Sequence, residues 1–152
     1  MTTSKLYLIG TPLGNMEDIT LRAQNCLRNL SHIFAEDTRE LSKLLKLLGI
    51  SPEGKKLYSY AAHNMKAASK AALKILETES VGLVSDRGMP GISDPGAILV
   101  EEARMQKIEV IPIPGPSAVT TLFSVSGFHS SQFHFLGFLT REKKERKRFG
   151  SV

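Results

Sequence analysis

At 152 residues the chain fits one compact domain, and a chain of that length buries close to ~70% of its unfolded surface. Hydrophobic residues make up 41% and charged residues 23%; no apolar run approaches the ~18 residues of a membrane-spanning helix, and the polar stretch Met1 to Lys5 lacks the pattern of a secretion leader, so a cytoplasmic protein is expected. The net charge of +5 is uneven, because Arg141 to Arg148 holds six basic and two acidic residues; the body is nearly neutral, and overall basicity is no argument for a nucleic-acid partner.

Leu6 to Ile9 is a short apolar run that ends in Gly10-Thr11-Pro12-Leu13-Gly14-Asn15. Apolar residues at 21, 23, 26, 27 and 30 follow with helical spacing, and Thr20 or Asp18 is the expected cap. Cys26 falls inside that pattern, where a buried, inert thiol is expected. The glycines are spaced G-x-x-x-G, which is not the dinucleotide fingerprint, and no Gly-Lys-Ser/Thr follows to cradle phosphates.

His32 to Ala35 leads into Glu36-Asp37-Thr38-Arg39 and a helix from about Glu40, with Leu41, Leu44, Leu45 and Leu48 on one face until Gly49 stops it. Asp37 or Thr38 can be a helix cap, and acidic groups favour a helix N-terminus, which accounts for one carboxylate more comfortably than for two. Leu57 to Tyr60 reads as a strand with His63-Asn64 on the loop after it. An Ala- and Lys-rich helix follows from about Met65 to Thr78.

The run Val81 to Val84 then breaks into twelve positions, Ser85 to Gly96, that hold three Gly, two Pro, two Asp and two Ser. Most strand-to-helix connections run about 2–6 residues, so a loop this long and this stiff has a use beyond connection. At the carboxyl end of a parallel strand it would line a ligand crevice. A helix from about Gly96 to Gln106, a strand Val110 to Ile113, the turn Pro114-Gly115-Pro116-Ser117-Ala118 and a helix to about Ser126 come next, with Pro116 in the first turn. Gln132 to Leu139 reads as a further aromatic-rich strand. The alternation predicts an α/β domain: an open, five-stranded, mostly parallel sheet with helices on both faces, its strands near Leu6, Ile33, Leu57, Val81 and Val110.

Taken in order, Ile9 to Asn15, Glu36 to Arg39, His63-Asn64, Ser85 to Gly96 and Pro114 to Ala118 resemble the tetrapyrrole-methylase superfamily. The resemblance covers about Leu6 to Arg148, and the pattern is most similar to the branch that methylates the 2′-hydroxyl of a cytidine in 16S rRNA of the small ribosomal subunit. It implies S-adenosylmethionine as cofactor, bound in a cleft between two domains. Residues 1–140 would be the N-terminal domain, and 141–152 a basic linker toward a C-terminal domain that this sequence does not contain. The resemblance implies cofactor contacts from Pro12, Gly88, Met89, Pro90, Ile92, Gly115, Ser117 and Ala118, with Asp86 shaping the loop and the cofactor edge rather than accepting a proton. Glu36, Asp37, Arg39, His63 and Asn64 would form the catalytic, substrate-facing side, the proton acceptor among them left open. The pattern departs from the family at Arg87 and Met89, where backbone contacts are expected and the Arg87 guanidinium is expected to face solvent or RNA phosphate. No metal is implied, and a homodimer is a plausible assembly. Two other readings stand beside it: a methyltransferase acting on a porphyrinoid, and a non-catalytic binding module.

Overall fold

The structure, a computed structural model, describes residues 4–93 and 95–138. Five strands alternate with five helices: β1 (Lys5–Ile9), α1 (Leu21–Asn29), β2 (His32–Ala35), α2 (Thr38–Leu47), β3 (Lys56–Ser59), α3 (Met65–Ile75), β4 (Val81–Val84), α4 (Ala97–Met105), β5 (Glu109–Ile113) and α5 (Ala118–Val125). The strands form one sheet in the order β3-β2-β4-β1-β5, every pair parallel. The expected fold class is therefore the observed one.

Register decides where the loops meet. Ile9 lies beside Val84 and Ile113, and Ala35 beside Val84 and Ser59, so the carboxyl ends of all five strands finish on one level. The residues that leave the sheet there, from Gly10, Glu36, Ser85 and Pro114 onward, rise along a single edge. Helices α1 and α2 cover one face through Ala23, Leu27, Leu41 and Leu45. The other face is covered by α3 and α4 through Ala68, Ala72, Leu99 and Ala103. The loops after β2 and β4, neighbours in the sheet, thus peel away to opposite faces and leave a crevice between them, the usual ligand position in such a sheet.

The burial of each element follows from its neighbours. The central strands β2 and β4 are buried at every position, as a doubly covered strand requires, whereas the edge strands β3 and β5 are half exposed. Pro112, which lacks an N–H, is tolerated in β5 because that strand pairs only with β1. Thr20 caps α1 by accepting from the Ala23 N–H at 3.1 Å. The helix turns Leu27 fully inward but leaves Leu21 78% exposed, although both sit in the same apolar pattern. Leu27→Ala is accordingly expected to cost about 2–5 kcal/mol and Leu21→Ala less than about 0.5 kcal/mol; chemical denaturation of the two variants checks the facing of α1. Cys26 is only partly buried, not fully as expected, and that burial pushes its thiol above its ordinary range, which disfavours the nucleophilic thiolate.

Two expectations need correction. Pro116 precedes the cap residue Ser117 and is not within the first turn of α5. Residues 132–138 form no strand: Gly137 takes a φ of +73°, and Phe133 packs its ring 5.1 Å from that of Phe123 on α5 instead of joining the sheet edge. Apolar alternation alone cannot make a strand where no partner edge is offered. Helix α5 buries none of its residues, and with it Leu122, Phe128, Leu136 and Phe138 stand exposed. Leu139 and the basic stretch Arg141 to Arg148 lie outside the described residues, and so does the expected boundary at 140.

Candidate active site

Two connections are stapled together at the sheet edge. The Thr11 N–H donates to the Gly88 carbonyl at 2.9 Å and the Gly88 N–H donates back to the Thr11 carbonyl at 3.1 Å. Thr11 Oγ1 also donates to the Ser85 carbonyl at 3.2 Å, and the Ser85 hydroxyl lies 3.2 Å from the carbonyl oxygens of Arg87 and Gly88. Thr11 and Ser85 are both buried, so these bonds satisfy polar groups that burial would otherwise penalise. Gly88 holds a φ of +83°, a conformation open to glycine at little cost.

The third connection joins by close backbone approach. A Cβ on Gly10 would stand 2.7 Å from the Gly115 Cα and 2.8 Å from Met89 Sδ, and one on Gly115 would stand 2.8 Å from the Gly10 Cα. Gly10, Met89 and Gly115 therefore meet at one crossing, which Gly88 extends toward the Pro116 carbonyl. Beside it, the N–H groups of Met89, Ser117 and Ala118 have no acceptor among the described residues, and the Ser117 side chain makes no cap bond to α5. Pro90 is buried, Ile92 and Ala118 are exposed.

On the other side of Thr11, a cavity of about 200 Å³ opens between the β1–α1 connection, the length of α2 from its cap Asp37 to Leu47, and the end of β4. Pro12, Asp37 and Asp86 line it, together with Glu40, Lys43 and Arg87. Its two aspartates are in contrasting states. Asp37 caps α2 through the Arg39 N–H at 2.8 Å, and the Arg39 guanidinium grips both its oxygens, at 3.0 Å from Nε and 2.6 Å from the terminal nitrogen. The side-chain bonds from Arg39 hold Asp37 down to about 2. Asp86 uses Oδ1 to accept from the Asp37 N–H at 3.1 Å, and its Oδ2 has no hydrogen-bond partner among the described residues. Partial burial pushes its carboxyl above the ordinary aspartate range; the Asp37 N–H opposes this, and the nearby carboxylates of Glu36, Asp37 and Glu40 add to it.

The sign of the Asp37 effect is testable. A carboxyl whose folded affinity for protons is depressed adds stability above its unfolded value, near 3.8, and loses it as pH falls toward about 2. Asp37→Asn is expected to flatten acid denaturation between about pH 4 and 2 and to leave the curve at higher pH parallel to the parent's. Identical acid limbs would refute the pair's contribution.

The structure thus gathers Pro12, Asp37 and Asp86 around the cavity, and Gly88, Met89, Gly115 and Ser117 around the adjacent crossing. Glu36, Arg39, His63 and Asn64 stand on the same sheet edge but do not line the cavity. His63 is exposed. Asn64 spends both ends of its amide on its own turn, accepting from the Ala61 N–H at 2.8 Å and donating to the Ser59 carbonyl at 3.2 Å, which is a shaping task. Sequence reasoning missed Thr11 and Ser85 as the staple, though both stood inside the quoted motifs, and missed Glu40 and Lys43, which carried only the signal of a solvated helix face. Among the described residues no cluster of side chains could hold a metal ion, and no helix is long and apolar enough to cross a membrane.

Comparison with known proteins bears on the family and the fold. The chain is 48% identical over 149 residues to "Ribosomal RNA small subunit methyltransferase I" of Thermotoga maritima, covering 97% of this chain and 66% of that one. It is 46% identical over 143 residues to the protein of the same name from Halalkalibacterium halodurans, covering 93% and 48%. The chain therefore spans between about half and two thirds of the length of these curated relatives. Among solved structures, a diphthine synthase superposes with a TM-score of 0.64 at 17% identity, over 83% of this chain and 50% of that one, which shows a shared fold. The family model described as Tetrapyrrole (Corrin/Porphyrin) Methylases matches residues 5–151, and the chain belongs to that family.

Proposed function

We propose that this chain is the N-terminal domain of an S-adenosylmethionine-dependent methyltransferase that modifies the 2′-hydroxyl of a cytidine in 16S rRNA of the small ribosomal subunit, in the cytoplasm. The observation that carries the reading is the juxtaposition at one sheet edge of a crossing whose backbone donors find no acceptor among the described residues and a cavity lined by the Asp86 carboxyl. The name of the relatives, a small-subunit ribosomal RNA methyltransferase, supports the coarser part of this reading, methyl transfer to that RNA.

The residues present fit the cofactor. The N–H groups of Met89, Ser117 and Ala118, without acceptors among the described residues, would donate to its polar groups, and Met89 and Ile92 would offer apolar surface. When bound, S-adenosylmethionine would supply a methyl group on a sulfonium, open to attack by a nucleophilic oxygen with the neutral thioether as leaving group. The chain's part is then positioning, which supplies much of such a rate enhancement, and removal of the hydroxyl proton. Asp86 is suited to take that proton: its Oδ2 has no hydrogen-bond partner among the described residues, and its proton affinity is raised, which brings a carboxylate closer to the working range of a general base. Asp37 is unsuited, because Arg39 occupies both its oxygens and holds it ionised. Its task is to fix the start of α2 and to present its N–H to Asp86. Residues beyond 140 and the exposed apolar face of α5 belong, on this reading, to the junction with the remaining length of the protein.

The test uses the full-length gene product, labelled S-adenosylmethionine and 30S subunits from cells that lack the gene. One 2′-O-methylcytidine per subunit, identified by mass after nuclease digestion, is the expected product. No transfer, or a methyl on a base nitrogen or carbon, would overturn the reading.

A further inference from the structure

The hydroxyl of Thr11 does more than the staple requires. The backbone pair between Thr11 and Gly88, at 2.9 and 3.1 Å, already fastens the β1–α1 connection to the loop after β4, and any residue but proline could make it. The Gly88 carbonyl has room for two donors, which the Thr11 N–H and the Ser85 hydroxyl, 3.2 Å away, supply. Thr11 Oγ1 lies farther from that carbonyl, at 3.5 Å, and donates instead to the Ser85 carbonyl at 3.2 Å. The Ser85 carbonyl belongs to the peptide group that joins Ser85 to Asp86.

Asp86 needs such a hold. It is exposed, so packing does not fix its rotamer, and the one hydrogen bond its carboxylate accepts among the described residues comes from the Asp37 N–H at 3.1 Å. The carboxylate is thus held from the β2–α2 connection, and the peptide behind it from the β1–α1 connection. Thr11 is well suited to the second task. It is 1% exposed, so its hydroxyl cannot exchange the Ser85 carbonyl for water, and its branched Cβ makes it stiff about χ1. We infer that Thr11 is a positioning residue for methyl transfer: through the Ser85 carbonyl its hydroxyl sets Asp86 in one frame with the glycine crossing, so that proton acceptor and methyl donor keep a fixed separation. The inference rests on the reading of Asp86 given above and names the group that orients it.

Single-turnover methyl transfer to unmodified 30S subunits by the full-length gene product, at saturating S-adenosylmethionine, tests it beside hydrogen exchange of the Asp37 amide followed by NMR. Thr11→Val keeps the backbone pair and the shape but loses the hydroxyl. Its rate is expected to fall about 10- to 100-fold, the cost of a small misplacement of a reacting group, with the cofactor dissociation constant nearly unchanged. Its Asp37 amide, whose acceptor is no longer held in place, should exchange about tenfold faster. Thr11→Ser restores the hydroxyl and should return both readouts toward the parent's. In an Asp86→Asn background the valine should cost nothing further, because the group it misplaces no longer takes the proton. Thr11→Ala replaces Thr11→Val if thermal melting shows that the valine unfolds the protein. Parental rate and exchange in Thr11→Val, a loss that serine does not restore, or an equal loss in both backgrounds overturns the inference. Thr11→Val behaving as the parent beside an impaired Asp86→Asn removes the inference alone, whereas Asp86→Asn at the parental rate removes Asp86 as the proton acceptor and the inference with it. If the parent transfers no methyl, the functional reading falls; serine-restored fast exchange in Thr11→Val then still supports the hold on Asp86, and parental exchange overturns it.

Discussion

Asp86→Asn in the full-length protein is expected to lower the single-turnover rate of methyl transfer by about 10²- to 10⁴-fold, the usual worth of a positioned acid or base, with the dissociation constant for S-adenosylmethionine nearly unchanged. The amide keeps the acceptor for the Asp37 N–H, so the meeting of the β2 and β4 loops survives, while the group that takes the proton is gone. In the parent the rate should rise with pH as Asp86 ionises, along a limb displaced upward from that of an ordinary aspartate by partial desolvation and the neighbouring carboxylates. Stability supplies an independent readout with a definite sign. A carboxyl whose proton affinity is raised by folding is destabilising once ionised, so the cost is absent at low pH, sets in as pH rises past the unfolded value, and is complete above the folded one. Asp86→Asn should therefore melt higher than the parent at pH 7 and match it at pH 3. Glu36→Gln, whose carboxylate acts on Asp86 only through space, should change the rate little. If Asp86→Asn instead binds cofactor poorly and transfers methyl normally once saturated, Asp86 belongs to the cofactor edge, as the family resemblance implied, and the proton has another acceptor.

That contrast shows which parts of the site were legible in the sequence. The strands and helices were, because apolar periodicity and the Gly/Pro punctuation at Gly49, Ser85 to Gly96 and Pro114 to Ser117 act locally. Parallel pairing followed from the alternation of strand and helix. The contrast between the Asp37 and Asp86 carboxyls was not, because it depends on register: Ala35 and Val84 lie side by side, and only that places the Asp37 N–H on the Asp86 carboxylate. Nor could spacing reveal that Arg39 turns back on Asp37 rather than outward to a substrate, since both orientations suit an exposed residue in the first turn of a helix. His63-Asn64 illustrates the reverse case. The motif drew attention as catalytic, yet Asn64 closes its own turn, as asparagine commonly does. The Gln132 to Leu139 segment misled for a different reason. Its aromatic alternation is that of a strand, but pairing is a property of two segments, and here Phe133 packs its ring against Phe123 of α5 instead.

The second large effect is expected at the glycine crossing. Gly10→Ala places a Cβ 2.7–2.8 Å from backbone atoms of Gly115 and 2.8 Å from Met89 Sδ. Met89 can swing aside at small cost, but the Gly115 backbone cannot, because the strand behind it is pinned level with β1 by the pairing of Ile9 with Ile113 and by the Gly10 N–H bond to the Ile113 carbonyl at 3.0 Å. The connections must separate by several tenths of an ångström, and overpacking of this kind costs about 1–3 kcal/mol, several degrees of thermal midpoint in a domain of this size. The separation also carries the N–H groups of Met89 and Ser117 apart, so cofactor affinity should fall with stability. Gly14→Ala is the matched control: nothing lies within 4 Å of its added methyl, and loss of unfolded-state freedom should leave stability unchanged or raised by up to about 1 kcal/mol. Gly115→Ala meets the same backbone from the other side, at 2.8 Å from the Gly10 Cα. Since either methyl opens the same crossing, the double variant should cost less than the two single losses added together. Additive losses, or a Gly10→Ala protein that melts and binds cofactor like the parent, would show that the two connections are not in contact in solution, and that the free donors beside them do not act as one cofactor cradle.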